Sequence, residues 1–121
     1  MHKGLPWSMT SFHWNNDCVV ELPPDAATLA HGADGEIQVW MSGIRSYGVQ
    51  HHPEIDREQV DLWAADDADL LRERGVELDA LRADTERYFD EFHRLTNRFF
   101  EAVAMLLMPL DRRTDAVAHQ P

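Results

Sequence analysis

The sequence predicts an α/β chain in which short strands, including a β-hairpin, are followed by two helices. Three observations carry this. Residues 36–50 alternate apolar and polar side chains on either side of Ser42-Gly43, which is the pattern of two half-buried strands joined by a turn. After Glu54 the apolar period lengthens from two residues to about 3.6, the helical repeat. From Leu81 to Leu106 one apolar stripe continues without an internal Gly or Pro.

Gly4 and Pro6 break any regular element in the lead-in over residues 1–9. Thr10 to Trp14 reads as a short strand, and Asn15-Asn16-Asp17 as a turn, because these side chains bond their own backbone. Cys18-Val19-Val20-Glu21-Leu22 is strand-like through its β-branched pair, and Pro23-Pro24-Asp25 ends it. Thr28 to His31 forms another short strand, closed by Gly32-Ala33-Asp34-Gly35. In Glu36 to Met41, Ile37, Val39 and Met41 oppose Glu36, Gln38 and Trp40. Arg45 to Gln50 returns as the second arm of the hairpin.

Asp56, with Gln59 three residues on, begins a helix over about 56–74 in the manner of a capping box. Val60, Trp63, Leu70 and Leu71 form its apolar face, Trp63 being assigned to the core. Gly75 suits the C-terminal stop. Asp61, Asp66, Asp67 and Asp69 read as a solvated helix face rather than a metal cluster. Asp79 caps a second helix over about 79–108. Its stripe of Leu81, Tyr88, Phe92, Leu95, Phe99, Val103 and Leu106 spans about seven turns and stops before Pro109. Residues 1–108 thus form one domain, and the polar stretch 109–121 a loose tail.

Composition sets the outer bounds. A chain of 121 residues has room for one core, and 44% hydrophobic residues with four Trp argue for a folded globule. A net charge of −11 opposes nucleic acid and anionic membrane surfaces as partners. The single Cys excludes an internal disulfide. No apolar run reaches the roughly 20 residues needed to span a bilayer, and the N-terminus lacks the apolar stretch of a signal peptide. A cytoplasmic protein is expected, with no cofactor and no metal.

The chemistry concentrates in Tyr47-Gly48-Val49-Gln50-His51-His52-Pro53-Glu54. Pro53 lacks the N–H that a strand ladder needs, so pairing should stop there. Residues two apart in extended backbone project to the same side, which brings His52 and Glu54 together at the strand end. A carboxylate beside an imidazole holds one tautomer and orients the ring, which is the base-and-orienter part of a nucleophilic triad. His51, His52, Glu54 and the distant His13 also have the composition of a zinc site. Adjacent strand residues His51 and His52 face opposite sides, however, and suit a shared metal poorly.

Further pieces accompany the motif: Phe12-His13-Trp14 with Asp17, Glu21-Leu22-Pro23-Pro24-Asp25-Ala26-Ala27-Thr28-Leu29-Ala30, and Gln38-Val39-Trp40. In this order, with Gln50-His51-His52-Pro53-Glu54, they make the sequence resemble the C-terminal half of a class I glutamine amidotransferase domain. The stand-alone proteins related to the amidotransferase domain of guanosine monophosphate synthetase are the nearest look. Their usual segment is Gln-Phe-His-Pro-Glu, and His51 here replaces the Phe. The match covers about residues 4 to 64 well and continues, mainly in helical character, to about 107.

That resemblance implies a Cys-His-Glu triad acting on glutamine, with His52 moving protons and Glu54 orienting it. It also implies that the nucleophilic Cys sits on a glycine-flanked elbow, N-terminal to the segments matched here. Cys18 is the one cysteine, and its neighbours Asp17 and Val19 supply no such elbow. The expectation is a partial domain, inactive alone, with the leading βα units of the parallel sheet absent. Its open sheet edge and long helix are then the surfaces for a homo-oligomer. Two other functions fit the same residues: a non-catalytic binding or regulatory protein reusing this half-fold, and a hydrolase of γ-glutamyl peptides.

Overall fold

The computed structural model describes residues 5–107. Three strands, β1 (Ala26–His31), β2 (Ile37–Ser42) and β3 (Ser46–Val49), form an antiparallel sheet in the order β1-β2-β3. Helices α1 (Arg57–Asp66), α2 (Ala68–Glu73) and α3 (Leu78–Leu107) follow. The architecture is mixed α and β, with a small meander rather than a parallel sheet.

The expected hairpin is present, with Ser42 opposite Ser46 and Trp40 opposite Gly48. Gly43 takes φ +60, a conformation that glycine adopts without a Cβ penalty. At Gly48 the need for glycine is steric instead, because a Cβ there would overlap the Trp40 indole lying across it. Strand β1 begins at Ala26, two residues before the expected Thr28, and pairs with β2 through an irregular register near Ala30.

Two expected strands are not strands of this sheet. Thr10 to Trp14 forms no strand, and the His52 N–H donates to its Phe12 carbonyl at 2.9 Å. Cys18 to Leu22 contributes a single bridge, Val19 to Ile37. Ile37 already pairs with His31 of β1, so this bridge lies on the opposite side of β2, past the end of β3. The β-branched pair has no long ladder to join there; tertiary pairing overrides propensity here.

Asp56 caps α1 as its sequence suggests, its carboxylate accepting the Gln59 N–H at 2.7 Å. The expected single helix over 56–74 is instead two, broken at Asp67. The Trp14 indole N–H donates to Asp67 Oδ2 at 3.0 Å, so this carboxylate is not part of a merely solvated face. Gly75 follows α2 at φ +75.

Helix α3 starts at Leu78, one residue before the expected cap, and its 30 residues extend about 45 Å. Phe92, Leu95, Thr96 and Phe99 are buried, the i, i+3, i+4, i+7 face of a helix laid on a core. Tyr88 is only half-buried, and Leu106 at the end of the proposed stripe is exposed. Ile55, Val60 and Phe92 form a core cluster flanked by Phe12, Trp63 and Phe89. Arg57 ties α1 to α3, stacking over the Phe89 ring at 4.4 Å and pairing with Glu86 and Asp90. The expected stop before Pro109 and the tail 109–121 lie outside the described residues.

Candidate functional site at His52 and Glu54

Beyond β3 the Gln50 N–H still donates to the Gln38 carbonyl at 2.8 Å, and the His52 N–H to Phe12. The chain then turns at Pro53. These bonds present neighbouring side chains to opposite sides, as extended backbone requires. His51 goes toward His13, with ring centroids 6.1 Å apart. His52 goes toward α1.

His52 and Glu54 meet as their spacing implies, Nδ1 lying 2.7 Å from Oε1. Burial pushes the Glu54 carboxyl up, but the His52 hydrogen bond, its own backbone N–H and the charges of His52 and His51 outweigh this. The net effect holds it below the ordinary carboxylate value. Trp63 completes the setting: its ring stands edge-on to His52 at 5.0 Å. Behind it, Phe12 and Trp14 stack at 5.8 Å, and Trp14 approaches Trp63 at 6.0 Å.

The second ring nitrogen is also occupied. His52 Nε2 lies 3.0 Å from the Trp14 carbonyl oxygen. Carboxylate and carbonyl both accept, so the ring satisfies both only when each nitrogen carries a hydrogen. With hydrogen on Nδ1 alone, the Nε2 lone pair faces another lone pair. The nitrogen that a triad turns toward its nucleophile here holds the Phe12–Trp14 segment in place. Cys18 is exposed, and its flanking residues form no elbow.

Sequence reasoning therefore located His52 and Glu54 but assigned Trp63 only to the core and gave Trp14 no contact with the histidine. A Trp in the following helix, eleven residues after His52, was the available signal. Among the described residues, no group of three or more His, Cys, Asp or Glu side chains could hold a metal ion. Among them, too, no helix is long and apolar enough to cross a membrane. No protein-family model and no curated protein matches the chain.

Proposed function

We propose that this chain is a class I glutamine amidotransferase-like domain carrying the His52-Glu54 part of a Cys-His-Glu triad. The supporting observation is the 2.7 Å contact between His52 Nδ1 and Glu54, within the segments whose order resembles that family. In the reaction, a thiolate attacks the glutamine side-chain carbonyl, and His52 delivers the proton with which ammonia leaves. Water then cleaves the thioester and releases glutamate. The thiolate and its oxyanion donors come from a glycine-flanked elbow outside residues 1–121.

The chain by itself then hydrolyses glutamine no faster than background. Loss of one oxyanion donor alone costs such enzymes about a hundredfold or more. The test is glutamate release by the purified chain, by its Cys18→Ala variant, and by the chain supplied with a Gly-x-Cys-x-Gly half-domain. Activity is expected only in the last, abolished by His52→Ala, reduced by Glu54→Ala and unchanged by Cys18→Ala. Release by the chain alone that disappears with Cys18→Ala overturns the proposal.

A second reading has its own observation. The Trp14 carbonyl on His52 Nε2 makes the same pair a tertiary clamp, which suits a non-catalytic binding protein reusing the half-fold. Failure of the supplied elbow to produce any turnover favours that reading.

A further inference from the structure

Residues 12–17 form neither helix nor strand. They are held across His52 by side chains from the segment after β3 and from the C-caps of α1 and α2. The Trp14 carbonyl lies against His52 Nε2 at 3.0 Å, and the Trp14 indole N–H donates to Asp67 Oδ2 at 3.0 Å. Arg74 donates to Asn16 Oδ1 at 3.1 Å, and the Gln50 side-chain amide to the Asp17 carbonyl at 3.3 Å. Irregular backbone held through side chains opens more readily than a helix or a strand ladder.

The contact at Nε2 depends on where the ring hydrogens are. With both nitrogens protonated, His52 donates to Glu54 Oε1 at 2.7 Å and to the Trp14 carbonyl at once. A neutral ring has one hydrogen for the two acceptors. The carboxylate is the stronger acceptor, lies the nearer, and belongs to a residue two positions away. The Glu54 carboxyl is held below its ordinary value, so it is a carboxylate near neutral pH. The single hydrogen therefore stays on Nδ1, and the Nε2 lone pair is left facing the carbonyl oxygen. The other titratable groups around the ring are His51 beside it, His13 on the crossing segment and Asp67 at the Trp14 indole. Trp63, which α1 sets against the ring, carries no charge.

We infer that residues 12–17 are a proton-gated strap over His52, closed on the imidazolium and released when the Nε2 proton leaves to water. The neutral ring is the form of a histidine that can act as a base. Release of the strap thus uncovers Nε2 in the same step that gives it a lone pair to use. That use of the opened nitrogen rests on the catalytic reading above, whereas the gate rests on the contacts of the strap.

The test is a pH titration of the full, nitrogen-15-labelled chain by NMR, over about pH 5 to 9. Ring-nitrogen spectra follow His52 itself. The Trp14 indole N–H and the Asn15 amide, which shares its peptide unit with the Trp14 carbonyl, follow the strap. Both strap signals are expected to move with the midpoint of the His52 ring, and the neutral ring to keep its hydrogen on Nδ1. Corrected for the intrinsic effect of pH, exchange of the Trp14 indole N–H should quicken at least about tenfold, the worth of a hydrogen bond to a charged group. His52→Gln offers an amide N–H at every pH and should abolish the step, while His13→Gln should keep it. Glu54→Gln should move the ring and strap midpoints together. The inference is overturned if the strap signals stay fixed while His52 titrates, if the neutral ring carries its hydrogen on Nε2, or if the step survives in His52→Gln. It is also overturned if the two midpoints part in Glu54→Gln. None of these readouts requires turnover: an elbow half-domain that yields no glutamate ends the catalytic reading and leaves the gate standing, and fixed strap signals do the reverse.

Discussion

His51 and His52 are adjacent, yet the regions they open onto differ in the way polar groups are treated. Both His52 ring nitrogens face an acceptor, the Glu54 carboxylate at Nδ1 and the Trp14 carbonyl at Nε2, and an indole edge stands against the ring. Around His51 lies a cleft with two buried oxygens left without partners. A histidine placed this way must give up its Trp14 contact before its Nε2 can take a proton from a nucleophile. Gln38 and Thr96 instead keep a buried side-chain oxygen without a partner.

The largest test of that contrast is in the core beneath each region. Phe92→Ala, in the cluster with Ile55 and Val60 on the His52 side, should cost about 3–5 kcal/mol in urea unfolding. Phe99, 8% exposed and bordering the cleft, already adjoins open volume. Its truncation should cost about 1 kcal/mol less, since less new cavity is created. Equal losses would remove the packing difference between the two sides.

A smaller effect is expected from the histidine clamp itself. His52→Ala deprives the part-buried Trp14 carbonyl of its donor and should destabilise the chain by about 1–2 kcal/mol. The indole fluorescence of Trp14 and Trp63 should change with it. A variant as stable as the parent, with unaltered fluorescence, would mean that the Nε2 contact does not hold the Phe12–Trp14 segment.

The smallest effects appear with pH and separate the two sides by where they occur. Both His13 and Glu54 have native pKa values below their ordinary ones, so the native state binds fewer protons and stability rises with pH through each window. The His13 contribution is complete above the ordinary imidazole range and is lost as pH falls through its lower native value. The Glu54 contribution is complete above the ordinary carboxylate range and is lost as pH falls through its depressed native value. Glu54 is largely exposed, with 59% of its side chain accessible, so its step is weakened by solvent and salt. Urea midpoints measured across pH should lose the upper step in His13→Gln and the lower step in Glu54→Gln.

What the sequence by itself determined was set by neighbours along the chain. The hairpin follows from alternation around Ser42-Gly43, the start of α1 from Asp56 reaching Gln59, and the buried α3 face from Phe92, Leu95 and Phe99. The His52–Glu54 contact follows from a two-residue spacing across Pro53. Only the tertiary structure decided the rest. Trp14 and His52 are 38 residues apart in sequence, and Trp14 and Asp67 are 53 apart. No local period encodes either meeting, nor the break it accompanies between α1 and α2. Gly48 likewise carries no sign that a Trp40 ring will cover it. The β-branched run at Cys18 to Leu22 has strand propensity, but a strand needs a partner edge, and β1 occupies one side of β2 while β3 occupies the other. The orphaned oxygens of Gln38 and Thr96 exist only because the sheet and a distant helix close over them. Burial is a property of that packing, and the linear order of residues does not contain it.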